Sequence, residues 1–333
     1  ENTPRFDYSG GATCPSLLLE PSRTNLFTQS EYFGGSSWTK VGSTTITNNY
    51  TTSPSGQNNA TRLQWTNATN YIYQPVSHIG SNHTLSIYLK SNTGVSQNVK
   101  LFMDNGAKGK EVVVTTQWQR FEFTILQNTQ SDRNAGLIKS SSQVGDLDIS
   151  IFAAQFEQNA SYPTSYIPTY GVSQTRAVDD LKKIGIGDLI GDTQGTLFLD
   201  LEKTNNDTAS LAGFFRVHLS GPSSNSIYFG YDSNKINYAV VTNGALQANF
   251  TTSQTYDGQR VKIALTYAEN QFKMYVNGAL VNTNLSGTPP IGLKDIRFGI
   301  NSGLPTNTQG YVYSHLIIPT AITDQEAIDL TTI

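Results

Sequence analysis

The sequence has 333 residues, of which only 14% are charged, and its formal net charge is −3. One hydrophobic core stops growing well below this length, which favours two domains, and the even spread of charge argues against nucleic acid as a ligand. The single cysteine excludes an intrachain disulfide, and no apolar run approaches the roughly 20 residues that cross a bilayer, so we expect no membrane insertion.

Residues 1–30 predict an extended connector and not a domain. Two prolines bracket the apolar run Leu17–Leu19 in "CPSLLLEPSRTNLF", which suits a segment laid along another surface. Cys14 has no histidine near it in sequence, so we predict that it is a small buried hydrophobic residue without chemistry.

Residues 31–172 read as short strands separated by Asn, Gly, Ser and Thr. In "HTLSIYLKS", Leu85, Ile87 and Leu89 share one face, and "NVKLFMDNG" and "GDLDISIFAAQFE" alternate in the same way. Repeated alternation with a period of two predicts antiparallel strands with one buried face, as in a β-sandwich.

Residues 173–194 lose this alternation and predict a linker, after which 195–333 predict a second β-sandwich. Within it, Gln271–Asn282 predicts a tight hairpin, because Asn277-Gly278 accepts the positive φ angles of a type I′ turn. One short helix is predicted at the end, where Thr323 and Glu326 form the Ser/Thr-x-x-Glu capping box. The chain is therefore predicted to be all-β, with two sandwiches in tandem.

Two module types are recognisable. The segments "YFGGSSWTK", "TTQWQRFEFTI" and "ISIFAAQFEQNASYPTSYIPT" resemble jelly-roll carbohydrate-binding modules. The segments "GTLFLDLE", "VKIALTYAENQFKMYVNGALV" and "AITDQEAIDLTT" resemble a laminin-G or concanavalin A-like lectin sandwich. The runs "PSLLLEPSRTNLF" and "TSYIPTYGVSQTRAVDD" are similar to stretches of bacteriophage tail-fibre, tail-spike and head-fibre proteins. The resemblance implies glycan or protein binding without turnover, and a homotrimer displayed on a virion.

A sugar site would combine aromatic rings, which stack on the apolar faces of pyranose rings, with polar groups that bind hydroxyls. The candidates are Trp38, Trp65, Tyr71 and Tyr73 in the first domain, and Tyr228, Tyr231 and Tyr238 in the second. Trp65 shares strand parity with Leu63, which leaves a place in the core open for it, and we predict that Trp118 lies in the core.

Metal and catalytic signals are weak. The histidines show no metal-ligand spacing, and no nucleophile elbow or phosphate-binding loop occurs. A structural Ca²⁺ could be held by Asp146 and Asp148 or by Asp179 and Asp180. Two carboxylates facing a sugar would suffice for glycoside hydrolysis, but most acidic residues lie on outward faces of strands, so we predict no enzyme activity and no catalytic residues.

These patterns predict a non-catalytic glycan-binding part of a phage fibre or spike. It would be made in the host cytoplasm and displayed on the virion surface, where it contacts host polysaccharide and other virion proteins. Two alternatives stay open: a structural segment whose aromatics serve subunit contacts, and the accessory binding region of a polysaccharide lyase or hydrolase. The run "SYPTSYIPTYG" predicts a seam, in which Tyr162, Tyr166, Ile167 and Tyr170 pack along the first sandwich, since Pro163 and Pro168 keep it extended.

Overall fold

The computed structural model describes residues 4–8, 14–66, 69–76, 81–128, 133–204, 215–222, 224–232, 234–300 and 309–333. These residues form four antiparallel sheets and one short C-terminal helix, so the all-β prediction is confirmed. The chain divides into two compact units. Arg23–Ala177 forms one of them, here called the inserted unit, and Glu1–Ser22 with Val178–Ile333 forms the other, here called the split unit.

The inserted unit contains twelve strands of the described chain. They are β3 (Arg23–Asn25), β4 (Thr39–Val41), β5 (Thr44–Thr51), β6 (Ala60–Trp65), β7 (Tyr71–Val76), β8 (Ser81–Ser91), β9 (Gln97–Met103), β10 (Lys108–Val114), β11 (Gln119–Asn128), β12 (Arg133–Lys139), β13 (Leu147–Gln158) and β14 (Gln174–Arg176). One sheet has the order β10-β9-β12-β7-β4, and the other has the order β11-β8-β13-β3-β14 with β6 also pairing β13 and β5 pairing β6.

The core of the inserted unit lies between these two sheets. Leu85, Ile87 and Leu89 of β8 are at most 2% exposed, and Val99 and Leu101 of β9 are fully buried. Burial of a leucine or isoleucine side chain stabilises by about 1.5–3 kcal/mol, so the alternating apolar positions fix the register of both strands. The alternation predicted from the sequence is confirmed at these strands.

The second face of β8 is also buried, which the sequence did not predict. Thr84 and Ser86, whose parity points away from the core, are fully buried. The cause is the segment 161–170, which crosses this face: its residues Thr164 and Thr169 are fully buried, and Ile167 is 5% exposed. The predicted seam is therefore confirmed at Ile167 and at Tyr166, which packs against Phe152, but Tyr170 is 69% exposed, so its predicted place in the seam was wrong.

The split unit contains thirteen strands of the described chain and the helix. They are β1 (Arg5–Asp7), β2 (Ser16–Leu19), β15 (Asp180–Ile184), β16 (Gln194–Lys203), β17 (Phe215–Ser220), β18 (Ser226–Asp232), β19 (Lys235–Thr242), β20 (Ala245–Thr255), β21 (Arg260–Ala268), β22 (Gln271–Val276), β23 (Ala279–Asn284), β24 (Asp295–Ile300), β25 (Gly310–Ile318) and α1 (Asp324–Thr331). The sheet orders are β1-β2-β25-β16-β21-β22-β23 and β15-β24-β17-β18-β19-β20.

Local signals in the split unit are confirmed. Asn277 and Gly278 have φ angles of 48° and 80° and join β22 to β23, with Val276 opposite Ala279. Thr323 and Glu326 form the reciprocal capping box at the start of α1. Positive φ at both central residues twists the hairpin in the sense that strands prefer, which explains the tight turn.

The chain enters the split unit first, leaves it and returns. Strand β2 of the expected connector pairs with β25, and Leu19 is fully buried in the core of the split unit. The next strand, β3, pairs with β13 and β14 of the inserted unit. The expected linker 173–194 likewise supplies β14 to the inserted unit and β15 to the split unit. Cys14 is exposed, so the prediction that it is buried was wrong.

Candidate functional site

The outer face of the five-stranded sheet carries two neighbouring tyrosines. Tyr71 and Tyr73 lie on β7 with the parity opposite to the buried Ile72, and both are partly exposed. Their ring centroids are 5.9 Å apart with an interplanar angle of 23°. The structure therefore brings together two of the predicted site residues as one aromatic surface, here called the tyrosine pair.

A third ring supports the tyrosine pair from the neighbouring strands. Phe102 of β9 meets Tyr71 edge to face, with centroids 6.2 Å apart and planes at 82°, and it is only 3% exposed. Gly136 of β12 lies between Tyr73 and Phe102 in register. A Cβ added to Gly136 would lie 2.0 Å from the carbonyl oxygen of Ile72, so only glycine fits this close approach. Because glycine has no side chain, the sheet face has a depression at Gly136, between the rings of Tyr73 and Phe102.

Polar groups occupy the adjoining row of the same sheet face. Across the strands, Tyr71 of β7 lies opposite Ile138 of β12, Ile138 lies opposite Lys100 of β9, and Lys100 lies opposite Glu111 of β10. The hydroxyls of Ser140 and Ser142 donate to the Glu111 carboxylate and lower the pKa of that carboxyl. An ionised carboxylate accepts hydrogen bonds from hydroxyl groups, and an ammonium group beside it donates hydrogen bonds to them. The face therefore combines stacking and hydrogen-bonding groups.

The other predicted aromatics of the inserted unit lie in its core. Trp65 is fully buried, and Trp38 is 2% exposed between Phe27 and Phe33, with centroid distances of 5.2 and 4.8 Å. The indole Nε1 of Trp38 donates to the carbonyl oxygen of Gln29 at 2.8 Å. In this structure the faces of both indole rings are covered by protein, which leaves none for a sugar.

Strand parity separates the three tyrosines predicted in the split unit. Tyr231 and Tyr238 are at most 1% exposed and belong to the core, whereas Tyr228 is partly exposed on the outer face of β18. Tyr228 lies opposite His218 on β17 and Ala239 on β19. Of these three tyrosines, only Tyr228 keeps a ring surface that a ligand can reach.

Three of the four predicted metal ligands are engaged by guanidinium groups. Asp148 binds Arg62, with 2.9 Å between Oδ1 and Nε, and this contact lowers the pKa of the carboxyl. Asp179 binds Arg5, and its Oδ2 accepts from the backbone N of Glu20 at 2.7 Å.

Asp180 binds Arg297, with 2.6 Å between Oδ2 and Nη2, while Asp146 is exposed. Among the described residues, no group of three or more His, Cys, Asp or Glu side chains is placed to hold a metal ion. A calcium ion at Asp148, Asp179 or Asp180 would have to compete with a guanidinium, and calcium binding stays a prediction.

Two surface features were missed by the sequence reasoning. Trp118 is partly exposed on the face that Tyr166 covers, where its Nε1 donates to Thr52 O at 3.0 Å, so its predicted place in the core was wrong. Its parity differs from that of Phe121 and Phe123, which pack against the core, and this difference was visible in the sequence.

The second missed feature lies on the outer face of the seven-stranded sheet of the split unit. The guanidinium of Arg260 binds both carboxylate oxygens of Asp200 at 2.8 Å and lies 3.9 Å from the ring centroid of Tyr313. The Tyr313 hydroxyl donates to Glu202 at 2.9 Å. The alternation of Asp200 and Glu202 with leucines in "FLDLE" indicated that both face outward.

Residues 200–327, within the split unit, match the family model described as the concanavalin A-like lectin/glucanases superfamily. This lectin-like fold supports carbohydrate binding in general terms. No curated protein matches the sequence.

Several solved structures are similar to this chain at low identity. The receptor binding domain of botulinum neurotoxin mosaic serotype C/D has a TM-score of 0.36 and 14% identity, over 46% of this chain and 41% of that chain. The sialidase CBM40 module of Ruminococcus gnavus, solved with α2,3-sialyllactose, has a TM-score of 0.36 and 16% identity, over 46% of this chain and 98% of the module. The match therefore spans less than half of the toxin domain. Among the described residues of this chain, no helix is both long and apolar enough to span a bilayer.

Proposed function

We propose that the chain is a non-catalytic glycan-binding part of a bacteriophage fibre or spike, and that it contacts polysaccharide on the host surface. The tyrosine pair is the observation that carries this proposal. Two nearly parallel rings on one exposed sheet face offer a surface for the apolar faces of a sugar chain. The lectin-like match of residues 200–327 supports the same ligand class.

The tyrosine pair and the two charged residues of the adjoining row, Lys100 and Glu111, make different kinds of contact with the glycan. Tyr71 and Tyr73 stack on the C–H faces of the sugar rings, and Phe102 holds Tyr71 in place. Lys100 donates to hydroxyl oxygens, and Glu111 accepts from hydroxyl protons. Because binding requires no proton transfer or nucleophile, the proposed site holds the glycan without cleaving it.

The resemblance to phage fibre sequences supports the proposed location and partners. The chain would be made in the host cytoplasm and displayed on the virion surface as a homo-oligomer, with a trimer as the proposed state. Other virion proteins would be its remaining partners. Tyr228 would provide a second contact point for glycan on the split unit, and a structural Ca²⁺ remains part of this proposal.

Glycan binding by matched variants tests the proposal. The whole chain and the double variant Tyr71→Ala/Tyr73→Ala are applied to an array of bacterial surface polysaccharides and to host cells. We expect at least a tenfold loss of binding in the double variant, since each stacked ring contributes about 0.5–1.5 kcal/mol beyond its burial. Tyr50→Ala is the control, because Tyr50 is 42% exposed on β5 of the other sheet. Equal binding by the double variant and the control contradicts the proposed site, and no binding by the unmodified chain contradicts the proposed function.

A structural role is the second candidate, and exposed leucines of the split unit favour it. Leu246, Leu280 and Leu285 are 58%, 45% and 69% exposed, on or beside the edge strands β20 and β23. Apolar side chains at sheet edges are suited to contacts between subunits. A stable oligomer that binds no glycan on the array would favour this candidate over the first.

A further inference from the structure

A lysine is buried at the end of β16 in the split unit. Lys203 is 1% exposed, and its Nζ lies 2.5 Å from Oδ1 of Asn234 and 2.8 Å from Oδ1 of Asp257. Asn234 is 7% exposed, and the Asp257 side chain is 13% exposed. An amine, a carboxamide and a carboxylate are thus in contact in a site largely closed to water.

Backbone hydrogen bonds hold the three side chains in this arrangement. The N–H of Tyr256 donates to Asn234 O at 2.8 Å, and the N–H of Gly258 donates to Lys203 O at 2.8 Å. The residue before Asp257 is therefore bonded to Asn234, and the residue after it is bonded to Lys203. Asn234 itself has a φ of 65°, a conformation that asparagine tolerates better than most residues. When a protein holds two reacting groups in contact, a bimolecular reaction becomes in effect unimolecular, and its rate rises strongly.

We propose that Lys203 and Asn234 form an intramolecular isopeptide bond, with Asp257 as the proton carrier. Asp257 takes a proton from the Lys203 ammonium group, and the neutral Nζ attacks the carboxamide carbon Cγ of Asn234. The protonated Asp257 then gives its proton to Nδ2, the Cγ–Nδ2 bond breaks and ammonia leaves. The second proton of Nζ passes to the Asp257 carboxylate and from there to the departing ammonia, which leaves the site as ammonium. One amide replaces another, so the step needs no oxidant, metal or cofactor.

The bond would join the two sheets of the split unit. Lys203 ends β16 of the seven-stranded sheet, and Asn234 lies in the turn between β18 and β19 of the six-stranded sheet. The chain has one cysteine and so has no intrachain disulfide to do this. A covalent link between sheets would restrict the unfolded chain, as a disulfide does. The proposal is independent of glycan binding.

Intact mass of the purified full chain is the first test. The bond lowers the mass by about 17 Da, the mass of ammonia, relative to the mass computed from the sequence. A protease digest should contain one branched peptide in which Lys203 is joined to Asn234. An unmodified chain whose mass equals the sequence mass, with no branched peptide, overturns the proposal whatever the variants do.

Variants separate this bond from succinimide formation, which also releases ammonia. Lys203→Met, Asn234→Ala and Asp257→Asn should each have the full sequence mass of the variant, because each removes one participant. Asn237→Ala on β19 is the matched control and should keep the loss of about 17 Da, since its side chain contacts Asn249, Thr251 and Phe250 O instead. A mass loss that persists in Lys203→Met or Asp257→Asn overturns the proposed chemistry.

Discussion

At the scale of single residues, polar partners decide which side chains the inserted unit can bury. Glu157 is fully buried, and its carboxylate accepts from Thr164 N at 3.1 Å and from Thr164 Oγ1 at 2.5 Å. Loss of hydration disfavours the charged form and raises the pKa of Glu157, although the Thr164 contacts act in the opposite direction. Because the pKa of Glu157 is raised on folding, the free energy of unfolding of the inserted unit depends on pH.

The first prediction concerns this pH dependence. A carboxyl whose pKa is higher in the folded state binds more protons folded than unfolded, so its contribution to stability falls as pH rises from the unfolded pKa through the folded pKa. We expect the inserted unit to lose stability across this range, and Glu157→Gln to flatten the slope. All three tryptophans (Trp38, Trp65 and Trp118) lie in the inserted unit, so denaturation followed by tryptophan fluorescence at several pH values reports this unit alone. Parallel pH profiles for the variant and the unmodified chain would contradict the prediction.

The sequence predicts whether a strand residue is buried when its position is compared with the alternating apolar positions of the same strand. Tyr231 shares the parity of Ile227 and Phe229, which are fully buried, whereas Tyr228 has the opposite parity. The sequence therefore contained the signal that separates Tyr228 from Tyr231. The pairing of Lys203 with Asn234 and Asp257 was not predictable, because the three residues come from distant segments that only the tertiary fold brings together.

At the scale of elements, the segment 161–170 acts as an additional layer on the inserted unit. The Tyr166 hydroxyl lies 2.5 Å from Ser30 Oγ and donates to Glu31 Oε1 at 3.0 Å, and its ring lies 5.8 Å from that of Phe152. The N–H of Ile167 donates to the side chain of Gln155 at 2.7 Å. Side-chain bonds thus hold most of this segment, and backbone bonds to residues 28–30 hold its end, including the β-bridge between Gln29 and Tyr170.

The second prediction tests this layer. Tyr166→Ser/Ile167→Ser should destabilise the inserted unit by about 3 kcal/mol or more, since it removes two packed side chains and leaves polar groups without partners. Tyr170→Ser, a neighbour that is 69% exposed, should change stability by less than about 0.5 kcal/mol. Tryptophan fluorescence during urea denaturation measures both. Full stability of the double variant, together with a loss of glycan binding, would instead make this segment part of a ligand site.

The element scale also shows where sequence patterns reach their limit. The alternation in β8 and β13 predicted one buried face, and that face is buried as expected. The pattern could not show that the other face is covered, because Ser86, Ser150 and Gln155 are polar and yet fully buried. Their burial depends on hydrogen bonds such as that from Gln155 Nε2 to Thr164 O at 3.2 Å, which a local pattern does not encode.

At the scale of the whole molecule, the chain order of the two units determines which fragments can fold. The ends of the inserted unit are adjacent, because Arg23 pairs with Arg176 and Asn25 with Gln174. Within the split unit, the ends that flank the insertion are also adjacent, because the N–H of Asp179 donates to Glu20 O at 3.0 Å. In each unit, therefore, the chain segments that flank the junctions are held together by contacts within that unit.

The last prediction follows from this closure. A chain in which Ser22 is joined to Val178 by a short Gly-Ser linker should fold as the split unit, and residues 23–177 alone should fold as the inserted unit. A fragment that starts at residue 195 should be unstable, because it lacks β2 and β15, which pair with β25 and β24, and it lacks Leu19, which is fully buried in the core. Circular dichroism and thermal unfolding distinguish the three. A cooperative transition in the 195–333 fragment equal to that of the joined chain would show that residues 1–22 and 178–194 are dispensable, and would contradict the assignment of these segments to the split unit.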